Sequence, residues 1–144
     1  LTATPGNTVD YSFIEARLHA LMAEYDVQEI ACDPWNARGF VAKLQADGLP
    51  IFEVSQTMAN LTASSKELEK LILSRRLRHD GNPVMRWCIA NVVADVDGNG
   101  NIKPSKKRSH ERIDGVSALV TALARAMVVQ PSVYDERPPL EVAL

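Results

Sequence analysis

Two carboxylates and a run of cations in this chain have the types and placement that phosphate chemistry needs. Asp33 ends an apolar run, Val27-Gln28-Glu29-Ile30-Ala31-Cys32, and is followed by Pro34-Trp35-Asn36. Asp114 opens Ile113-Asp114-Gly115-Val116-Ser117-Ala118-Leu119, shortly after Lys106-Lys107-Arg108. From Lys103 to Arg112 there are five Lys/Arg and one Glu. Carboxylate oxygens are the ligands that hard divalent cations prefer, and clustered cations attract a phosphate backbone. Together they point to a metal-dependent nuclease.

Each acid also has a plainer reading. Asp33 before Pro34 suits a helix N-cap with proline at the first helical position. Asp114 suits a solvent-facing helical position. On a helical wheel Val116, Leu119, Val120, Leu123 and Met127 share one side, and Asp114 lies nearly opposite with Ala118, Thr121 and Arg125. Two arguments favour function. Residues beyond the carboxyl ends of parallel strands line the binding crevice of open α/β sheets. The small residues on the Asp114 side would also let that helix approach a sheet closely. The basic run has its own plain reading, a solvated loop.

The elements that must position these residues follow from periodicity and breakers. The spacing predicts a helix over 11–25, started by a Ser12–Glu15 capping box or by Asp10. Val27–Cys32 reads as a buried strand, and a second helix runs from Pro34 to about Ala46 with Phe40, Val41 and Leu44 inward. Asp47-Gly48 ends it, and Leu49–Val54 is a second strand, completing a βαβ unit with parallel strands. A third helix starts at Asn60 or Thr62 and reaches about Arg78. Val84–Asn91 reads as a short helix. Val92–Asp95 and Asn101–Lys103 flank Gly98-Asn99-Gly100, a hairpin turn. A last helix covers about Glu111–Val129. The stretch from Gln130 onward holds three prolines and reads as a loose tail.

Several functional classes are excluded. Asp95-Val96-Asp97-Gly98-Asn99-Gly100-Asn101-Ile102 imitates a calcium loop, but its twelfth position is Lys106 where a bidentate Glu is needed. His19, His79 and His110 lack zinc-ligand spacing, and there is no Walker A loop, dinucleotide fingerprint or Gly-x-Ser-x-Gly elbow. Trp35 and Trp87 read as core residues. Cys32 and Cys88 are the only cysteines and read as buried, reduced thiols, which fits a cytoplasmic protein. No signal peptide or membrane span is visible. With 144 residues and a net charge of −2, the chain can form one compact domain, and any nucleic-acid affinity must be local. Its opening, Leu1-Thr-Ala-Thr-Pro-Gly-Asn7, reads like the interior of a larger protein.

Five motifs occur in a fixed order: Thr4-Pro-Gly-Asn-Thr-Val-Asp-Tyr11, Ala31-Cys-Asp-Pro-Trp-Asn-Ala37, Gly81-Asn-Pro-Val-Met-Arg-Trp87, Gly98-Asn-Gly-Asn-Ile-Lys-Pro104 and Arg112-Ile-Asp-Gly115. The ordered set, from about Thr4 to Met127, resembles the carboxyl-terminal nuclease domain of tailed-phage terminase large subunits of the HK97-like kind. The resemblance implies an α/β, RNase H-like mixed sheet flanked by helices. Residues 1–129 would form a partial domain lacking its first strands, followed by the tail 130–144.

It also implies an endonuclease that cuts concatemeric double-stranded DNA during genome packaging. An ATPase domain would lie upstream in the same polypeptide, with a terminase small subunit and a portal protein as partners. Asp33 and Asp114 match two of the family's three metal-binding acids, and each would ligate one ion of a Mg²⁺ or Mn²⁺ pair. The remaining acid belongs on a first strand expected before Thr4, so this chain alone should bind metal weakly and cut little or not at all. Lys106, Lys107, Arg108 and Arg112 would steer or grip phosphates, with Ser109 and His110 as site neighbours. Two other readings stay open: a non-catalytic DNA-binding or docking module of the packaging motor, and another RNase H-like nuclease such as a resolvase.

Overall fold

Asp10, not Ser12, starts the first helix. Its carboxylate accepts the Ser12 backbone N–H at 2.8 Å and caps α1 (Tyr11–Glu24). The computed structural model describes residues 10–128, so the tail from Gln130 lies outside the described residues. After α1 the chain forms β1 (Ile30–Cys32), α2 (Arg38–Ala46), β2 (Ile51–Glu53), α3 (Met58–Leu73), α4 (Pro83–Asn91), β3 (Ala94–Val96), β4 (Ile102–Pro104) and α5 (Asp114–Ala126). The chain divides into two compact units, Leu1–Glu53 and Val54–Leu144.

The first unit is built on the expected βαβ order. β1 and β2 pair in parallel, with Ile30 opposite Ile51 and Cys32 opposite Glu53. Val41 and Leu44 of α2 join Leu49 and Ile51 in a buried cluster, against which Leu18, Met22 and Phe40 pack. α1 is held to α2 by the Tyr11–Phe40 ring pair at 4.7 Å and by Lys43 with Glu15 at 2.5 Å. α2 starts later than its proline signal indicates. Asp33 Oδ1 accepts the Trp35 N–H at 3.2 Å, and Asn36 takes a positive φ of 58°. Asp33 therefore closes a tight turn, and Ala37 stands at the helix N-cap without a side-chain cap bond.

In the second unit, α3 packs on α5 and on β4, and α4 packs on α5. Leu61 and Leu68 of α3, Cys88 of α4, and Ile113, Val116, Leu119, Val120 and Leu123 are buried there. This confirms the predicted apolar side of the last helix up to Leu123, whereas Met127 is exposed. α3 begins at Met58 under the Thr57 hydroxyl cap and ends at Leu73, five residues before the sequence estimate. Pro83 at the start of α4 follows an Asn82 cap whose side chain accepts from Val84 N and Met85 N.

The hairpin reading holds. β3 and β4 pair antiparallel, with Asp95 opposite Lys103. Asp97 organises the turn by accepting the N–H groups of Asn99 and Asn101 at 2.9 Å and the Asn101 amide at 2.8 Å. These bonds, the Asn101 side chain's first, hold the Asp97 carboxyl below the usual range. A depressed folded-state value means the stabilisation is present above the unfolded-state value and is lost as the pH falls through the folded one. Asp97→Ala is therefore expected to melt at a lower temperature than the parent chain at neutral pH. That gap should close below roughly pH 4, which paired thermal melts across pH would read.

Candidate functional site

The Asp114 end of the second unit is fixed by its neighbours on both sides. Ile113 is 1% exposed and anchors the start of α5 in the core. Gly115 lets α4 come close: a β-carbon there would meet Cys88 Sγ and Met85 at 3.3 Å. Between an apolar anchor and a close-packed glycine, Asp114 is left on the surface, with its side chain 59% exposed. Arg112-Ile-Asp-Gly115 is thus a positioning device whose outer member is the carboxylate. Asp114 also sits in the first turn of its helix, where the macrodipole favours a negative charge.

Lys106 Nζ donates to Asp114 Oδ1 at 2.5 Å. That bond, with the Lys106 and Arg112 charges, holds the Asp114 carboxyl below its ordinary range, so it is ionised at neutral pH. The pair is exposed, and such pairs are worth only about 0–1 kcal/mol. Breaking that pair would therefore cost little stability.

The basic stretch divides by role. Lys103 donates to the Gln56 carbonyl at 2.9 Å, while Gln56 Nε2 donates to the Thr121 hydroxyl at 3.0 Å. Thr121 is buried although it shares the Asp114 side of α5, whereas Ala118 on that side is exposed. Arg108 Nη1 donates to the Ala94 carbonyl at 3.2 Å and lies 4.0 Å from Asp95, tied to the hairpin. Ser109 holds the loop to the hairpin: its hydroxyl donates to the Ser105 carbonyl at 2.7 Å and accepts the Val93 N–H at 3.0 Å. His110 is exposed. Lys107 and Arg112 are exposed and have no ion-pair partner among the described residues.

Asp33 lies in the first unit, immediately beyond the carboxyl end of β1 and half-buried. The structure leaves it within its own unit and Asp114 within the other. Beside it, burial and then the Asp33 and Glu53 charges push the Cys32 thiol up, so Cys32 stays protonated at neutral pH and offers no thiolate ligand. Each carboxylate by itself is a hard oxygen donor, the kind that suits Mg²⁺ or Mn²⁺. Among the described residues, no group of three or more His, Cys, Asp or Glu is arranged to hold an ion. The tryptophans depart from the sequence reading: Trp35 is 79% and Trp87 43% exposed. Trp35 lies in the turn before α2 and Trp87 within α4.

The terminase large subunit endonuclease-domain model matches residues 1–130. Protein YmfN of Escherichia coli K12 is 39% identical over 90% of this chain and 29% of its own length. The terminase large subunit of Enterobacteria phage HK97 is 34% identical over 88% of this chain and 25% of its own. A crystal structure of the HK97 bacteriophage large terminase superposes with a TM-score of 0.77, covering 85% of this chain and 26% of that one. The chain thus spans between a quarter and a third of the length of these relatives. With sequence and α/β fold in agreement over most of its length, the chain belongs to the terminase large subunit endonuclease-domain family.

Proposed function

We propose that this chain is the catalytic part of a divalent-metal-dependent endonuclease that cuts concatemeric double-stranded DNA during phage genome packaging, in the cytoplasm of the bacterial host. The observation that carries this reading is Asp114, an ionised carboxylate held outward at a helix start by Ile113 and Gly115. Asp33 at the end of β1 supplies the second carboxylate. A pair of Mg²⁺ or Mn²⁺ ions, when bound, would activate water and stabilise the leaving 3′ oxygen. Asp33 and Asp114 would each hold one ion. Two acids are fewer than such a pair needs, so an acid upstream of this chain in a longer parent protein would complete the cage. Arg112, whose charge acts on Asp114, and Lys107, exposed next to Lys106 in the chain, would hold the phosphodiester against the site. Lys106 would pass from Asp114 to a phosphate oxygen once a metal takes its place. An ATPase segment of the same parent, a small subunit and a portal would be the partners of such a motor.

The test uses the full-length parent protein with supercoiled plasmid. Mn²⁺ should produce nicked and linear DNA, and EDTA should stop it. Intact plasmid with Mn²⁺ would leave the non-catalytic module as the better reading. For the basic surface, neutralising Lys106 and Lys107 together is expected to lower the slope of log affinity against log salt by roughly 1–2. An unchanged slope would remove this loop from the DNA path.

A further inference from the structure

The second unit carries another basic site, at the junction of α3 and α4, that the reading above does not use. A cavity of about 360 Å³ opens there, lined by Ile72, Arg75, Leu77, His79, Met85 and Arg86 among others. Its lining joins exposed Arg75 and Arg86 to the half-buried apolar Leu77, Met85 and Ile89, on which guanidinium stems can lie while their heads face solvent. The segment Arg75-Arg76-Leu77-Arg78-His79 and Arg86 bring four arginines into twelve residues with one acid, Asp80. That acid is engaged locally, accepting the Asn82 N–H at 2.8 Å. His79 Nδ1 accepts the Gly81 N–H at 3.0 Å, which leaves Nε2 as the ring's donor. Arg75 and Arg86 are exposed and have no ion-pair partner among the described residues.

Arg75 is also held where arginine is a poor choice. α3 closes in a Schellman motif, with Arg75 N–H donating to Ile72 O at 3.0 Å and Arg76 N–H to Leu71 O at 2.9 Å. Arg75 takes the left-handed position of that motif, φ 57°. α2 closes the same way, with Gly48 N–H to Gln45 O and Leu49 N–H to Leu44 O both at 3.0 Å. There the left-handed residue is Gly48, φ 87°. One chain thus uses the favoured glycine at one helix end and an unfavoured arginine at the other. A side chain kept against backbone preference points to a use for that side chain.

We infer that Arg75 and Arg86 form a second DNA contact, a cleft that takes backbone phosphates and whose lining includes neither Asp114 nor the loop from Lys106 to Arg112. Arginine rather than lysine at both positions suits forked hydrogen bonding to phosphate oxygens. Such a contact would hold the duplex without reading its sequence. The inference rests on the reading that this chain works on DNA, and not on which residues cut it.

The test is binding of the full 144-residue chain to a DNA duplex in EDTA, across a salt series, with melting temperature measured in parallel. Arg75→Gly removes the guanidinium and relieves the backbone, so its melting temperature should hold or rise. Its DNA affinity at low salt should fall roughly threefold to fivefold. Arg86→Gln should weaken binding similarly, and the double variant should lower the salt slope by about 2. Parent-like affinity and slope in the double variant would overturn the inference, as would failure of the parent chain to bind. Metal-dependent cleavage by the full-length protein, with its dependence on Asp33 and Asp114, would be judged separately and survive such a result.

Discussion

Asp114→Asn in the full-length parent is expected to cut Mn²⁺-dependent plasmid nicking by roughly a hundredfold to ten-thousandfold while leaving the fold intact. The two halves of this expectation have different sources. A metal ligand stabilises developing charge by several kcal/mol, and each ~1.4 kcal/mol is a factor of ten in rate. The fold should survive because the Asp114 side chain is 59% exposed and its ion-pair partner, Lys106, is itself exposed. Losing that pair costs about 1 kcal/mol or less. Asp33→Asn should behave alike, since Asp33 accepts one 3.2 Å turn bond that an Asn oxygen can also accept. Single-turnover nicking with melting curves on the same preparations checks both. Parent-like rates in either variant would sink its assignment as a ligand.

Ile113→Ala should do the opposite to stability. Ile113 is 1% exposed, and its carbonyl accepts the Ser117 N–H at 3.0 Å as α5 begins. Truncating a buried isoleucine to alanine costs about 2–5 kcal/mol, through lost burial and the cavity left behind. In the second unit that should lower the melting temperature by on the order of 10 °C. Ile113→Val, which keeps most of the volume, should cost only about 0.5–1.5 kcal/mol. Because Ile113 anchors the turn that holds Asp114 outward, nicking should fall with Ile113→Ala even below its melting transition. Asp114→Asn, in contrast, should lose nicking with a stability loss of only about 1 kcal/mol or less. Urea denaturation of the three variants separates anchor from ligand. A fully stable Ile113→Ala protein would show that the start of α5 is not a core contact.

Much of this arrangement is legible in the sequence because it is local. The apolar spacing of α5, the Gly98-Asn99-Gly100 turn, and the strand–helix–strand order around Val41 and Leu44 are each set by neighbours a few residues apart. The same locality places Asp33 at a strand end and Asp114 at a helix start. What the sequence hides is tertiary or left-handed. Pro34 signals a helix start, but the Asp33 turn and the left-handed Asn36 delay α2 to Arg38. Arg75 in a glycine conformation ends α3 before the apolar pattern does. The basic stretch reads as one patch, yet Lys103, Lys106, Arg108 and Ser109 each have partners on other segments. Only the fold separates those braces from Lys107 and Arg112.

The most direct test of the central claim is metal binding rather than cleavage. Mn²⁺ titrations of the full-length protein, followed by electron paramagnetic resonance, should show binding weakened at least roughly tenfold by Asp33→Asn and by Asp114→Asn. Lys107→Ala should bind Mn²⁺ like the parent. Parent-like Mn²⁺ affinity in both aspartate variants would contradict the account.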